Sequence, residues 1–175
     1  MRLIKSFFIV LAGFFVLITL ISLLIPSTVI TVKSVSIHSS SEKILAAIKD
    51  LEQWKKWNPV FQQEMAGLTI VPAATPAGSK AIWQKNGKET SISIIDTFPQ
   101  GIRFNVSRKG EKDIETSLAV LPVQEPNTFQ VEWKAVNRLK WYPWEKFAGI
   151  FVNEMTGPGY EEALNSLKKY VENNQ

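Results

Sequence analysis

The chain has 175 residues, 45% of them hydrophobic and 21% charged, the balance of a folded chain of about one domain. It has no cysteine and one histidine, His38, which excludes disulfides, thiolate metal centres, cysteine nucleophiles and multi-histidine metal sites. The net charge is +4, but basic pairs such as Lys55-Lys56 and Lys168-Lys169 are scattered, so no stripe of cations matches a phosphate backbone and no nucleic-acid partner is expected.

Residues Ser6–Ile25 carry no charge. As a helix they would span roughly 30 Å, the thickness of a bilayer core. Ser6, Thr19 and Ser22 can return their hydroxyls to the helix backbone, and Pro26 ends the segment. The run is longer than the apolar core of a cleaved signal peptide, and no A-x-A site follows it. A lipoprotein signal would need a cysteine. The segment therefore reads as an uncleaved single-pass anchor over residues 1–26, followed by a folded domain over 27–175. Arg2 and Lys5 precede it without a nearby acid. The positive-inside rule then puts the N-terminus in the cytoplasm and the domain on the extracytoplasmic side.

Val29–Ile37 alternates and is rich in β-branched residues, so it reads as a strand. Ser39 and Glu42 have the spacing of a capping box, and Ile44, Leu45, Ile48 and Leu51 then repeat at helical spacing. Trp54 and Trp57 fall on one side of a second short helix, which Pro59 closes. From Leu68 onward short alternating runs lie between turn signals: 68–71, 80–84, 89–96, 102–107, 114–121 and 128–136. Asn86-Gly87 is the clearest hairpin turn. Alternation puts Ile102, Phe104 and Val106 on a covered face, together with Phe129, Val131, Trp133 and Ala135. The C-terminal part carries two apolar stripes, Phe147–Met155 and Tyr160–Val171. Gly157-Pro158-Gly159 separates them, so a kinked or broken helix is expected there.

The order is strand, two short helices, about six strands and a long helix. An antiparallel meander with one apolar face buries that face by curving around an amphipathic helix. This α+β arrangement resembles the helix-grip fold of the START-like (SRPBCC) superfamily. VKSVSIHSSSEKILAAIKDLEQWKKWNP is similar to the opening strand, capped helix and W-x-x-W-x-P segment of the polyketide cyclase/dehydrase-like branch, here Trp54, Trp57 and Pro59. VEWKA around Trp133 resembles that branch's penultimate-strand signature, and GPGYEEALNSLKKYVE resembles its terminal helix, with Gly159 where an acid is common. The resemblance covers nearly all of residues 29–173. It implies a hydrophobic cavity between sheet and long helix that takes a lipid, an isoprenoid or an aromatic molecule. An N-terminal membrane anchor is a familiar arrangement in the branch.

Trp83, Phe104, Trp133, Phe147, Phe151 and Met155 are the candidates for lining that cavity, with Trp54 and Trp57 as structural neighbours. Aromatic residues also fill ordinary cores, so a filled interior is the competing expectation. Trp141, Tyr142 and Trp144, flanked by Arg138, Lys140 and Lys146, lie in a loop before the long helix. They suit a cavity gate, a membrane contact or a packed lid. His38 has no identifiable catalytic partner, Glu132 falls on the outward face, and Glu154 suits a solvated helix position. No catalytic constellation, metal site or cofactor motif is legible. The main expectation is a membrane-tethered binding protein for a small hydrophobic ligand. A cyclase- or dehydratase-type enzyme and a filled-core interaction protein are the alternatives. Oligomeric state is not legible.

Overall fold

The computed structural model describes residues 2–173, with side chains from residue 4. Met1, the Arg2 side chain and residues 174–175, which belong to the expected anchor and domain, lie outside the described residues. The chain opens with α1 (Arg2–Leu23). Then come β1 (Thr28–His38), α2 (Ser41–Lys49), α3 (Leu51–Trp57) and α4 (Pro59–Gln63). Six strands follow: β2 (Thr69–Val71), β3 (Lys80–Lys85), β4 (Lys88–Phe98), β5 (Gly101–Arg108), β6 (Ile114–Pro122) and β7 (Thr128–Arg138). The chain closes with α5 (Pro143–Gly149) and α6 (Val152–Asn173).

The described strands form one curved antiparallel sheet in the order β1-β7-β6-β5-β4-β3-β2. The turn expected at Asn86-Gly87 is present: both residues have positive φ, 52° and 71°, as a two-residue type I′ turn requires. It pairs Lys85 with Lys88 and so places Trp83 opposite Thr90. A bulge between Ile94 and Asp96 bends β4 against β5. On the concave face Ile94 pairs with Phe104, and Leu118 with Trp133. This face is covered by α2–α4 and α6, and the core includes Ile37, Ile48, Trp54, Phe61, Ile102 and Leu167.

The helix α6 runs along β1. Asn153 meets Thr31, Glu161 pairs with Lys33, the Lys168 amine donates to the Ser36 carbonyl at 2.9 Å, and Glu172 accepts the His38 backbone N–H at 2.9 Å. β1 ends the sheet, and the last two contacts occupy backbone groups of that edge, which would otherwise template further pairing.

Three local expectations change. The cap of α2 is Ser40, not Ser39: the Ser40 side chain accepts from the Lys43 N–H, while Ser39 is buried with its hydroxyl facing no protein partner. Asp50 breaks the first helical run in two by capping α3, its carboxylate accepting from the Glu52 N–H at 2.9 Å. Pro59 opens a third short helix, standing at its first turn where a missing N–H costs nothing.

The expected break at Gly157-Pro158-Gly159 lies elsewhere. α6 passes through all three residues, and the break falls at Ile150-Phe151. There the Ile150 and Phe151 N–H groups bond three residues back, to the Phe147 and Ala148 carbonyls, a tighter 3₁₀-like turn. Gly149 sits so close to Leu139 that a Cβ would lie 2.2 Å from its Cδ1.

The helix Ile4–Leu23 is long and apolar enough to cross a membrane, and most of its side chains are exposed. Length and composition suit either a membrane span or a signal sequence. Thr19 and Ser22 return their hydroxyls to the Phe15 and Thr19 carbonyls at 2.8 and 2.7 Å.

Candidate functional site

Strands β3, β5 and β7 each deliver one ring to the concave face: Trp83, Phe104 and Trp133, all buried. The α3–α4 segment adds Trp54, Trp57 and Phe61 from above. The rings form one connected cluster. Trp54 lies 5.3 Å from Phe104 and 6.2 Å from Trp133, Phe61 lies 5.8 Å from Trp83, and Phe104 meets Trp133 edge-on at 5.9 Å. From α6, Tyr160 stacks on Trp133 at 5.3 Å with 28° between the planes. These separations are the favoured range for aromatic pairs.

The four buried tryptophans differ in one respect. The Trp54 indole donates to the Ile48 carbonyl and the Trp57 indole to the Ala47 carbonyl, each at 3.0 Å. Among the described residues the indoles of Trp83 and Trp133 have no acceptor, and neither does the hydroxyl of Thr90, the residue paired with Trp83. A buried donor without an acceptor costs about 1–3 kcal/mol. Three such groups therefore stand on the face that the sequence assigned to a ligand. Trp54 and Trp57, expected to be structural, are the two whose hydrogen bonds are closed locally.

Tyr160 is the titratable group of this region. Burial raises its phenol above the ordinary value, and contact with Thr156 opposes the shift. His38 lies at the end of β1, with Nδ1 3.1 Å from the Thr128 hydroxyl. Glu132 lies on the opposite sheet face from Trp133, and Glu154 is an exposed residue of the first turn of α6. Among the described residues no group of three His, Asp or Glu side chains could hold a metal ion.

Phe147, Phe151 and Met155 do not join the ring cluster. They lie on α5, the α5–α6 turn and the start of α6, 37%, 54% and 78% exposed. Trp141 and Trp144 are exposed as well, and the Tyr142 ring lies between them at 5.0 and 4.9 Å, parallel to Trp144 within 10°. Beneath this surface the buried Lys146 side chain points at the end of α1. Its amine donates to the Ile25 carbonyl at 2.8 Å and to the Ser27 hydroxyl.

Two cavities of the domain lie away from the tryptophans, and of the ring cluster only Phe104 borders one of them, the smaller. One of about 500 Å³ lies between α2, Pro76 and the end of α6, with Lys43, Lys49, Gln53 and Tyr170 in its wall. One of about 310 Å³ opens at the β4 bulge, beside Asp96, Arg103, Asn105 and Glu115. Neither is lined by Trp83 or Trp133.

Residues 28–172 match the family described as polyketide cyclase / dehydrase and lipid transport. The chain belongs to that family. No curated protein matches the chain. Among solved structures it is similar to a START superfamily protein from Mycobacterium smegmatis, at 16% identity and a TM-score of 0.59, over 83% of this chain and 99% of that one. Truncated norcoclaurine synthase from Thalictrum flavum is similar at 13% identity and a TM-score of 0.59, over 82% and 93% of the two chains. The protein XoxI from Bacillus cereus is similar at 14% identity and a TM-score of 0.57, over 81% and 94%.

The helix-grip fold expected from the sequence is thus the fold of this START-like family member. The fold is in general a ligand-binding one. The roles of two residues in this family member escaped the sequence reading: Thr90, which it did not name, and Lys146, which it named only as a flank of the aromatic segment. Thr90 was reachable, because a two-residue turn at Asn86-Gly87 fixes its pairing with Trp83. Lys146 carried no signal, because nothing local marks a lysine as buried.

Proposed function

We propose that the chain binds a small hydrophobic ligand carrying a hydrogen-bond acceptor, held between the concave sheet face and α6, in a domain tethered to a membrane by α1. The observation that carries this reading is the set of buried donors on one sheet face, the indoles of Trp83 and Trp133 and the hydroxyl of Thr90 opposite Trp83, with no acceptor among the described residues for any of the three. Apolar burial supplies binding energy of roughly 25 cal/mol per Å² less ordering costs, and the donors select a molecule with a carbonyl, carboxyl or ether oxygen. The ring cluster is closed over them, so uptake requires a ring to turn. Tyr160, half-buried and stacked on Trp133, is the ring placed to do so. The positive-inside rule orients the domain to the extracytoplasmic side, with the N-terminus in the cytoplasm. An apolar ligand dissolved in the bilayer then has a short path to the domain.

Native mass spectrometry of the full chain released from detergent micelles tests this. The expected result is a defined extra mass that solvent extraction removes and that the double variant Trp83→Phe/Trp133→Phe carries in smaller amount. Titration with decanoic acid should shift the indole N–H resonances of Trp83 and Trp133 and leave those of Trp54 and Trp57 in place. A chain with no bound mass and unmoved indole resonances overturns the reading. That outcome would favour a filled-core interaction protein, to which the continuous ring packing is suited. Catalysis as a cyclase or dehydratase would need a titratable group in contact with the ligand, and Tyr160 is the phenol in that position.

A further inference from the structure

The exposed apolar side chains on α5 and the start of α6 occupy one region, at the end of α1. Trp141 and Trp144 precede or open α5, and Ile150, Phe151 and Met155 follow it; each is more than half exposed. A monomeric soluble surface rarely gathers so many large exposed apolar side chains in one short segment without a use. The Lys146 hydrogen bond to the Ile25 carbonyl fixes the region against the last residues of the apolar run, and α1 and α5 are in contact. A helix of about 20 apolar residues spans the hydrocarbon of a bilayer, so its end marks the boundary with the headgroups. Trp144 lies two residues before Lys146 and Ile150 one helical turn after it, about 6 Å along an axis at 1.5 Å per residue. Trp144 and Ile150 therefore cannot be far from that boundary in depth.

We infer that this patch is a membrane-seating surface: Trp141, Trp144, Ile150, Phe151 and Met155 rest in the interfacial layer of the bilayer that holds α1. The occupant is the lipid surface itself, and continuity with α1 through the Lys146 clamp is what selects it. Tryptophan is the side chain best suited to this layer, with an apolar body and a polar N–H at its rim. The seating rests on reading α1 as a membrane anchor. It fixes the orientation of the domain on the bilayer, which a flexible tether alone would leave free, and it assigns Phe151 and Met155 to lipid contact.

The test uses the full chain reconstituted into phosphatidylcholine vesicles, with and without brominated acyl chains. α1 contains no tryptophan, so quenching by bromolipid reports on the domain. Wild-type fluorescence should be quenched by bromolipid and shielded from aqueous iodide, and the double variant Trp141→Phe/Trp144→Phe should lose the bromolipid quenching, because its four remaining tryptophans are buried in the domain. Vesicle flotation, run in parallel, separates the two readings. A chain that floats with the vesicles but shows iodide quenching and no bromolipid quenching overturns the seating and leaves the anchor standing. Shielding from iodide without bromolipid quenching also overturns it, and would assign the patch to a second copy of the chain. A chain that does not float overturns the anchor reading and the seating with it.

Discussion

Gly157 of α6 lies where the stem of Lys33 crosses the helix: a Cβ on residue 157 would stand 2.9 Å from the Lys33 Cε. The same lysine reaches on to Glu161 one turn later. Lys33 faces α6 because β1 register places it opposite Trp133, on the concave side. A charged side chain on a covered face must leave by a gap, and the glycine supplies it. The absence of a side chain at 157 thus serves the packing of a lysine stem, and α6 continues unbroken around it.

Gly157→Ala gains up to about 1 kcal/mol of helix propensity, and the Lys33 Cε it meets belongs to a flexible chain end that can move aside, so part of that gain is expected to be lost in displacing Lys33. In a Lys33→Ala background the stem is gone, and the same substitution should be neutral or stabilising by up to that amount. A double-mutant cycle by chemical denaturation measures the coupling. The Lys33–Glu161 ion pair itself is half-exposed, so Glu161→Gln should cost no more than about 1 kcal/mol.

The tryptophans should separate by their indole partners. Trp54→Phe and Trp57→Phe each remove a buried hydrogen bond and leave a carbonyl behind. Trp83→Phe and Trp133→Phe remove a donor that has no protein acceptor. All four lose ring volume, so the comparison isolates the hydrogen bond. The first pair is expected to be the more destabilising by about 1–3 kcal/mol each, read from denaturation midpoints of the ligand-stripped protein.

Lys146→Met keeps most of the buried stem and deletes the bonds to Ile25 and Ser27. Hydrogen bonds to a charged group contribute about 1.5–3 kcal/mol, so local opening between α1 and α5 should become roughly tenfold more frequent or more. The Leu139 N–H, bonded to the Ser27 carbonyl at 2.8 Å, is the reporter. Its hydrogen exchange should accelerate, while that of the β4–β6 amides stays unchanged.

Tyr160 predicts an alkaline limit. Burial holds its folded pKa above the ordinary value of 10.0, so its neutral form is favoured by folding. Below that ordinary value both states are protonated and the contribution is intact. As pH rises through it, the unfolded phenol ionises first, the unfolded state binds fewer protons, and stability falls until the folded pKa is passed. Stability measured against pH above 10 should decline less steeply in Tyr160→Phe than in the wild type.

The strands, their faces and one turn were fully legible because each depends on a short-range rule. Period-two alternation put Ile102, Phe104, Val131 and Trp133 on the covered face, and Asn86-Gly87 fixed a register by its tolerance of positive φ. The order of elements and the family motifs were enough to specify a helix-grip fold, and the uncharged run over 6–25 specified an apolar helix. What the sequence could not settle were questions of what lies opposite. Local propensity placed a break at Gly157-Pro158-Gly159, but Lys33 crosses there and α6 runs on; the joint fell at Ile150-Phe151, behind a glycine pressed against Leu139. Phe147, Phe151 and Met155 have the spacing of a buried stripe, yet a stripe is buried only if another element covers it, and among the described elements none covers Phe151 or Met155. Hydrogen-bond closure divided the tryptophans in the same way. An indole near a free carbonyl is satisfied by its own chain, as in Trp54 and Trp57, whereas one facing other rings, as in Trp83 and Trp133, is not. Composition and periodicity describe one segment at a time, and these outcomes are properties of pairs of segments brought together by the fold.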